Sequence, residues 1–187
     1  MKVILASQSP RRRELLSILF DEFDILVSDA DESLPNRSPA ECVMEIARRK
    51  LIDVKAKADD ALIIAADTVV ALDNKILGKP CDEEDAFNML SSLSGREHTV
   101  YTGVAIALSD KISVFAEETK VTFRNISADT IRSYIKTGEP MDKAGSYGIQ
   151  NKGALFVEKI DGDYFNVVGL PVCRLSKEIE RLGISVL

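Results

Sequence analysis

Apolar positions fall in short blocks of differing period along the chain, and each block predicts an element. Residues 2–6 (Lys-Val-Ile-Leu-Ala) form a compact apolar run that reads as a buried strand. Ser9-Pro10 reads as a helix start. Ser supplies a cap oxygen, and Pro at the first helical position gives up an N–H that would lack a partner anyway. Leu15, Leu16 and Leu19 keep helical spacing behind it. Residues 23–28 alternate and predict a second strand. Ser38-Pro39-Ala40-Glu41 is a capping box. The helix it opens runs to about Lys57, with Val43, Ile46, Ala47, Leu51 and Val54 inward. Residues 61–72 are a long apolar run interrupted by Asp67-Thr68 and ended by a turn at Asp73-Asn74.

Asp82 caps the next predicted helix, whose acidic first turn suits the positive end of the helix dipole. Phe87, Leu90 and Leu93 form its stripe, and Gly95 stops it. Residues 98–108 and 112–124 predict two strands joined near Asp110. Ser127 caps a helix ending at Gly138, and a polar, glycine-bearing loop follows over 139–152. Residues 154–160 and 164–168 predict a hairpin around Asp161-Gly162-Asp163. Pro171 opens a last helix to Leu182-Gly183. No repeat, low-complexity tract or linker divides the chain, so residues 1–187 are read as one domain. The expected class is α/β: a mixed, partly antiparallel sheet with flanking helices.

Composition narrows the function classes. Of 187 residues, 45% are apolar and 29% charged, a balance that excludes a disordered chain. No run of apolar residues is long enough for a membrane span. The short apolar start meets Arg11, Arg12 and Arg13 too early for a signal peptide, so the cytoplasm is the expected compartment. The net charge of −6 argues against a general nucleic-acid binder, whose affinity comes from neutralising many phosphates. Cys42, Cys81 and Cys173 are odd in number, lack zinc spacing and fit reduced thiols. His98 is the one histidine. It excludes a two-histidine mechanism and reads as a satisfied, half-buried strand residue.

Four segments break local rules, as functional sites do. Ser7-Gln8-Ser9-Pro10-Arg11-Arg12-Arg13 puts three cations in the first turn of a helix, against the dipole, where free N–H groups attract anions. Arginine forks match phosphate oxygens. The Ser-x-Ser-Pro context favours a polyphosphate cradle for Arg11 and Arg12 and leaves Arg13 to solvent. Asp67 is a carboxylate flanked by apolar residues, costly to bury unless paired. It fits a metal ligand or general base, or a satisfied buried acid. Lys50 shares the inward stripe of its helix; a snorkelling stem explains that spacing as well as a site does. Lys79, in Gly78-Lys79-Pro80, is similar in kind. The segment from Asp142 to Gly153 has glycines that admit close backbone approach and amides, Gln150 and Asn151, that can pair with a base edge. Composition alone reads it as a flexible loop. Glu32, in Asp29-Ala30-Asp31-Glu32, reads alone as a solvated acid. No P-loop, kinase or dinucleotide-binding signature is present.

Together these segments resemble the Maf family of nucleoside triphosphate pyrophosphatases, over essentially the whole chain. The resemblance rests on Leu5-Ala6-Ser7-x-Ser9-Pro10-Arg11-Arg12-x-Glu14-Leu15-Leu16, Ala66-Asp67-Thr68-Val69-Val70, Gly78-Lys79-Pro80, Leu93-Ser94-Gly95, Ala144-Gly-x-Tyr147-Gly148-Ile149-Gln150 and Val167-Val168-Gly169-Leu170-Pro171. It implies two lobes around a cleft, as in the inosine triphosphate pyrophosphatases. It implies hydrolysis of a nucleoside triphosphate to monophosphate and pyrophosphate with a divalent cation, Mg²⁺, Mn²⁺ or Co²⁺. Ala-Asp-Thr-Val-Val is similar to members acting on dTTP and UTP; the 7-methyl-GTP branch tends to carry Ser-Asp-Gln there.

The resemblance also implies phosphate roles for Ser7, Arg11, Arg12, Lys50 and Lys79. It implies acid roles, with the metal, for Glu32 and Asp67, and base selection by Thr68 and Gln150. A homodimer is expected on the same ground. Asn151 departs from the family's usual Gly after Ile-Gln, which is expected to alter the loop. Two other classes stay open from the residues: a nucleotide-sensing regulatory protein linked to septum or division control, without turnover, and a phosphate-handling transferase.

Overall fold

The computed structural model describes residues 1–58 and 60–187. Seven strands make one mixed sheet: β1 (Lys2–Leu5), β2 (Asp24–Ile25), β3 (Ala61–Leu72), β4 (Lys75–Leu77), β5 (Glu97–Leu108), β6 (Lys111–Phe123) and β7 (Val157–Asp161). Their order is β2-β1-β3-β5-β6-β7, with β4 paired to β3. β1 runs parallel to β2 and β3, and every other pairing is antiparallel. The helices are α1 (Pro10–Leu16), α2 (Pro39–Lys55), α3 (Glu83–Leu93), α4 (Ala128–Ile135), α5 (Tyr164–Val168) and α6 (Val172–Arg181). The mixed α/β class expected from the sequence is the class observed. Among the described residues no helix is long and apolar enough to cross a membrane.

The unbroken apolar runs of β1 and β3 follow from burial on both faces. Val3, Leu5, Leu62, Ile64 and Ala66 pack with Leu15 and Leu16 of α1, Leu90 of α3 and Leu175 of α6. The alternate residues Ile4, Ala6, Ile63 and Ala65 pack with Ala47, Leu51 and Val54 of α2. The α2 face of β5 is unusually small: Gly103, then Ala105 and Ala107. A Cβ on Gly103 would lie 2.3 Å from the carbonyl carbon and oxygen of Val43 and 2.6 Å from the Met44 nitrogen. The helix backbone therefore rests on the strand backbone. Asp67 is the register partner of Gly103, so this close seat also brings Lys50 of α2 to Asp67.

Three predicted elements differ. Residues 164–168 are helix α5, so the expected hairpin does not form. The Asp163 side chain accepts the Phe165 N–H at 2.8 Å and starts a helix instead, while β7 pairs with β6. Lys152–Phe156 is a 3₁₀ turn, which shortens the strand predicted from residue 154. The strand predicted over 23–28 keeps only Asp24–Ile25. Asp53 of α2 accepts from the Ser28 hydroxyl and the Asp29 N–H, both at 2.9 Å, and draws the chain off the sheet edge.

Candidate active site

A cleft of about 700 Å³ gathers residues from the β1–α1 connection, α1, α2, β3, the β4–α3 connection and the 139–152 loop. Ser7, Arg11, Arg12, Glu32, Lys50, Asp67, Thr68, Lys79 and Gln150 all line it. Arg13 does not, and it is exposed. At the meeting of α2 and β3, the Lys50 ammonium lies 2.9 Å from Asp67 Oδ1 and 3.0 Å from Glu32 Oε1. Lys50 is 7% exposed, so its charge depends on these partners rather than on water. Glu32 arrives from the segment that leaves the sheet after β2. The other oxygen of Asp67, Oδ2, takes no protein hydrogen bond among the described residues.

Arg12 is turned inward. Its Nε donates to Gly169 O at 2.9 Å and its Nη1 to Ala66 O at 2.8 Å and Ser7 Oγ at 3.3 Å. Nη2 donates to Thr68 Oγ1 at 2.9 Å. Burial pulls its pKa below the ordinary arginine value, with the charge of Asp67 opposing. Most of the fork is thus spent on the protein, and Arg12 shapes the cleft floor while adding charge to it. Thr102 donates to Asn166 O at 2.9 Å, so the 2.9 Å contact between Thr68 and Thr102 uses the Thr68 proton. Thr68 therefore faces Arg12 as an acceptor and has no proton left for a ligand.

Ser7 is arranged the other way. Its Oγ accepts from the Ser9 N–H at 3.2 Å and from Arg12, so its own proton has no protein acceptor among the described residues. Among the described residues Arg11 has one weak partner, Asp142, at 3.7 Å. Lys79 and Gln150 are exposed at the rim.

The 139–152 loop is pinned, unlike the flexible loop its composition predicts. The Glu139 carboxylate accepts from the Tyr134 hydroxyl at 2.9 Å and from the Lys152 and Gly153 N–H groups at 3.2 Å. The Gly148 N–H donates to Tyr134 Oη, and the Gly145 N–H to Gly78 O. Beneath it, Tyr147 meets Phe123 and His98 edge-on. Asn151 stands at φ −114° and ψ −136°, outside the main helical and extended regions.

Two charged cleft residues carry no role in the sequence reading: Asp142 and Lys143. Their only sign there was an acid–base pair beside a glycine-bearing stretch. Burial pushes the Asp142 carboxyl up. The hydrogen bond and charge of Lys143, and then the charge of Arg11, outweigh this and hold it below the usual carboxylate range.

No group of three or more His, Cys, Asp or Glu among the described residues could hold a metal alone. Two carboxylates, Glu32 and Asp67, share one ammonium and keep one net negative charge. That donor set fits a hard divalent cation completed by phosphate oxygens and water, the usual manner of Mg²⁺.

The family profile described as "Maf-like protein" matches residues 2–182. The dTTP/UTP pyrophosphatase of Carboxydothermus hydrogenoformans is 51% identical over 185 residues, covering 98% of this chain and 100% of that one. The dTTP/UTP pyrophosphatase of Clostridium beijerinckii is 55% identical over 188 residues, covering 96% and 100%. Among solved structures, the Staphylococcus aureus Ham1 protein superimposes with a TM-score of 0.52 at 15% identity, covering 98% of this chain and 100% of that one. At that identity the likeness concerns the fold.

Proposed function

This chain belongs to the Maf-like family, and we propose that it hydrolyses dTTP and UTP to the monophosphate and pyrophosphate. The observation that carries this reading is the Glu32–Lys50–Asp67 cluster in a cleft that also holds Arg11, Arg12, Lys79 and the unspent Ser7 hydroxyl. Asp67 takes the proton from water through Oδ2, while Lys50 on Oδ1 fixes the carboxylate's orientation. The water attacks the α-phosphorus, and the bond to the bridging oxygen breaks as pyrophosphate leaves. Ser7 donates to a phosphate oxygen, and Arg11 and Lys79 offset the charge that builds on the leaving group. Arg12 acts mainly by holding Ser7 and Thr68 in place and by its charge. Glu32 and Asp67 would hold the divalent cation, which supplies charge neutralisation at the phosphates and polarises the reacting phosphoryl group.

Thr68 bears on the base through Arg12. Gln150, whose amide makes no protein hydrogen bond among the described residues, pairs with the polar edge of the base. The test is a purified-protein assay of dTTP, UTP and the other common triphosphates with Mg²⁺, Mn²⁺ or Co²⁺. Monophosphate and pyrophosphate are expected in equal amounts with no added acceptor. A need for an acceptor would make the protein a transferase, and nucleotide binding without products would make it a sensor. Gln150→Ala should narrow the preference for dTTP and UTP over GTP by about tenfold in kcat/KM, the worth of one buried hydrogen bond. Equal losses on all three would remove Gln150 from base selection.

A further inference from the structure

The cleft contains an anion of its own among the groups assigned to phosphate. Asp142 is exposed at its carboxylate, which reaches Lys143 Nζ at 2.6 Å through Oδ1 and Arg11 Nη1 at 3.7 Å through Oδ2. Arg11 comes from α1 and Lys143 from the 139–152 loop, and both line the cleft. The side chain of Lys143 is 10% exposed, and its ammonium also donates to Glu139 O at 2.6 Å.

The Lys143 stem has a dedicated seat. A Cβ on Gly148 would lie 2.7 Å from Lys143 Cε and 2.9 Å from Cδ. Gly148 is outside the positive-φ glycines, so backbone conformation does not demand a glycine there. The Lys143 stem occupies the space that a Cβ there would take. An exposed surface pair would need no such seat, and surface pairs of this kind contribute little to stability. A carboxylate beside the binding groups for a highly negative ligand also opposes that ligand. Both features make sense if the anion is temporary.

We propose that Asp142 stands in for the substrate's phosphates: it neutralises Arg11 and Lys143 in the empty cleft and is displaced when the triphosphate tail binds, which makes Lys143 a further phosphate-binding residue. This deepens the pyrophosphatase reading and rests on it for the identity of the ligand. The carboxylate sets affinity from both directions. It weakens substrate binding, and by returning to its cations it helps expel pyrophosphate.

The test measures inorganic pyrophosphate binding by calorimetry, without turnover, alongside KM for dTTP. Asp142→Asn keeps the size and the acceptor oxygen and removes the charge. Its pyrophosphate Kd and its KM should both fall, by roughly three- to tenfold for one unit charge in a solvated cleft. Lys143→Met keeps a stem over Gly148 and should raise both by a similar factor. In the Lys143→Met background, the effect of Asp142→Asn should shrink toward that of the Arg11 contact alone. A Kd that rises or stays level in Asp142→Asn, or a Kd unchanged in Lys143→Met, overturns the proposal. Melting temperatures that move while Kd does not would leave these residues a structural role only. If wild-type protein hydrolyses no triphosphate but the Kd values shift as stated, the pyrophosphatase reading fails and the displaced anion stands.

Discussion

Asp67→Asn is expected to abolish pyrophosphate release while the protein stays folded, with a loss in kcat on the order of 10²–10⁴-fold, the usual worth of a positioned general base. The substitution keeps the volume and leaves an oxygen that can accept from Lys50, so β3 and its pairing with β5 are undisturbed. The carboxamide cannot take a proton at neutral pH, and it withdraws one of the two charges suited to a divalent cation. Lys50 retains Glu32 at 3.0 Å, so its buried ammonium is not stranded, and the melting temperature should move little. Steady-state turnover with saturating metal, together with a thermal melt, separates chemistry from folding. Turnover within threefold of wild type would take Asp67 out of the reaction.

The second large effect concerns acid. His98 on β5 is 2% exposed and meets Phe123 and Tyr147 edge-on. Burial lowers its pKa from 6.5 to about 4. Its Nε2 lies 2.8 Å from the Tyr147 hydroxyl, while Nδ1 is buried without a partner. Between pH 6.5 and about 4 the unfolded chain binds a proton there that the native protein refuses. Stability is therefore highest above 6.5 and falls as pH drops toward 4, with no further loss from this group below that. A shift of this size corresponds to about 3 kcal/mol. Urea unfolding at pH 7.5 and pH 4.5 measures the difference. His98→Gln, which cannot titrate, should flatten the profile above pH 4.5; an unchanged slope would show that other groups carry it. Since Tyr147 packs beneath the 139–152 loop, acid loss at His98 should also loosen Gln150 before global unfolding.

Asp67 was visible in the sequence because a carboxylate in an apolar run needs a partner, and the structure supplies Lys50. The same signal stands at Asn166, in Tyr-Phe-Asn-Val-Val. It is hidden when the segment is read as a hairpin strand rather than as α5. Asn166 is fully buried, and its side-chain amide donates to Val100 O and Thr119 Oγ1, while its side-chain Oδ1 is unpartnered among the described residues. It stands behind the Thr102–Thr68–Arg12 chain. Capping boxes and strand runs were legible because their causes are local.

The inward turn of Arg12 was not legible. Its partner Gly169 lies 157 residues away, and no local pattern distinguishes an arginine aimed at a ligand from one spent on carbonyls. The pinning of the 139–152 loop was lost for the same reason: Glu139 reaches it from one end and Tyr134 from a neighbouring helix, while composition registers only polar residues and glycine.

The glycine under Val43 has a bearing on motion. A helix whose main chain lies against the main chain of a strand has no side-chain cushion to roll on, and shear between packed layers depends on such a cushion. Lys50 and Asp67 therefore travel as one block. With the 139–152 loop pinned as well, any tightening around a nucleotide is expected from the less anchored acidic stretch before α2, so the Lys50–Asp67 pair would keep its geometry while that wall moves.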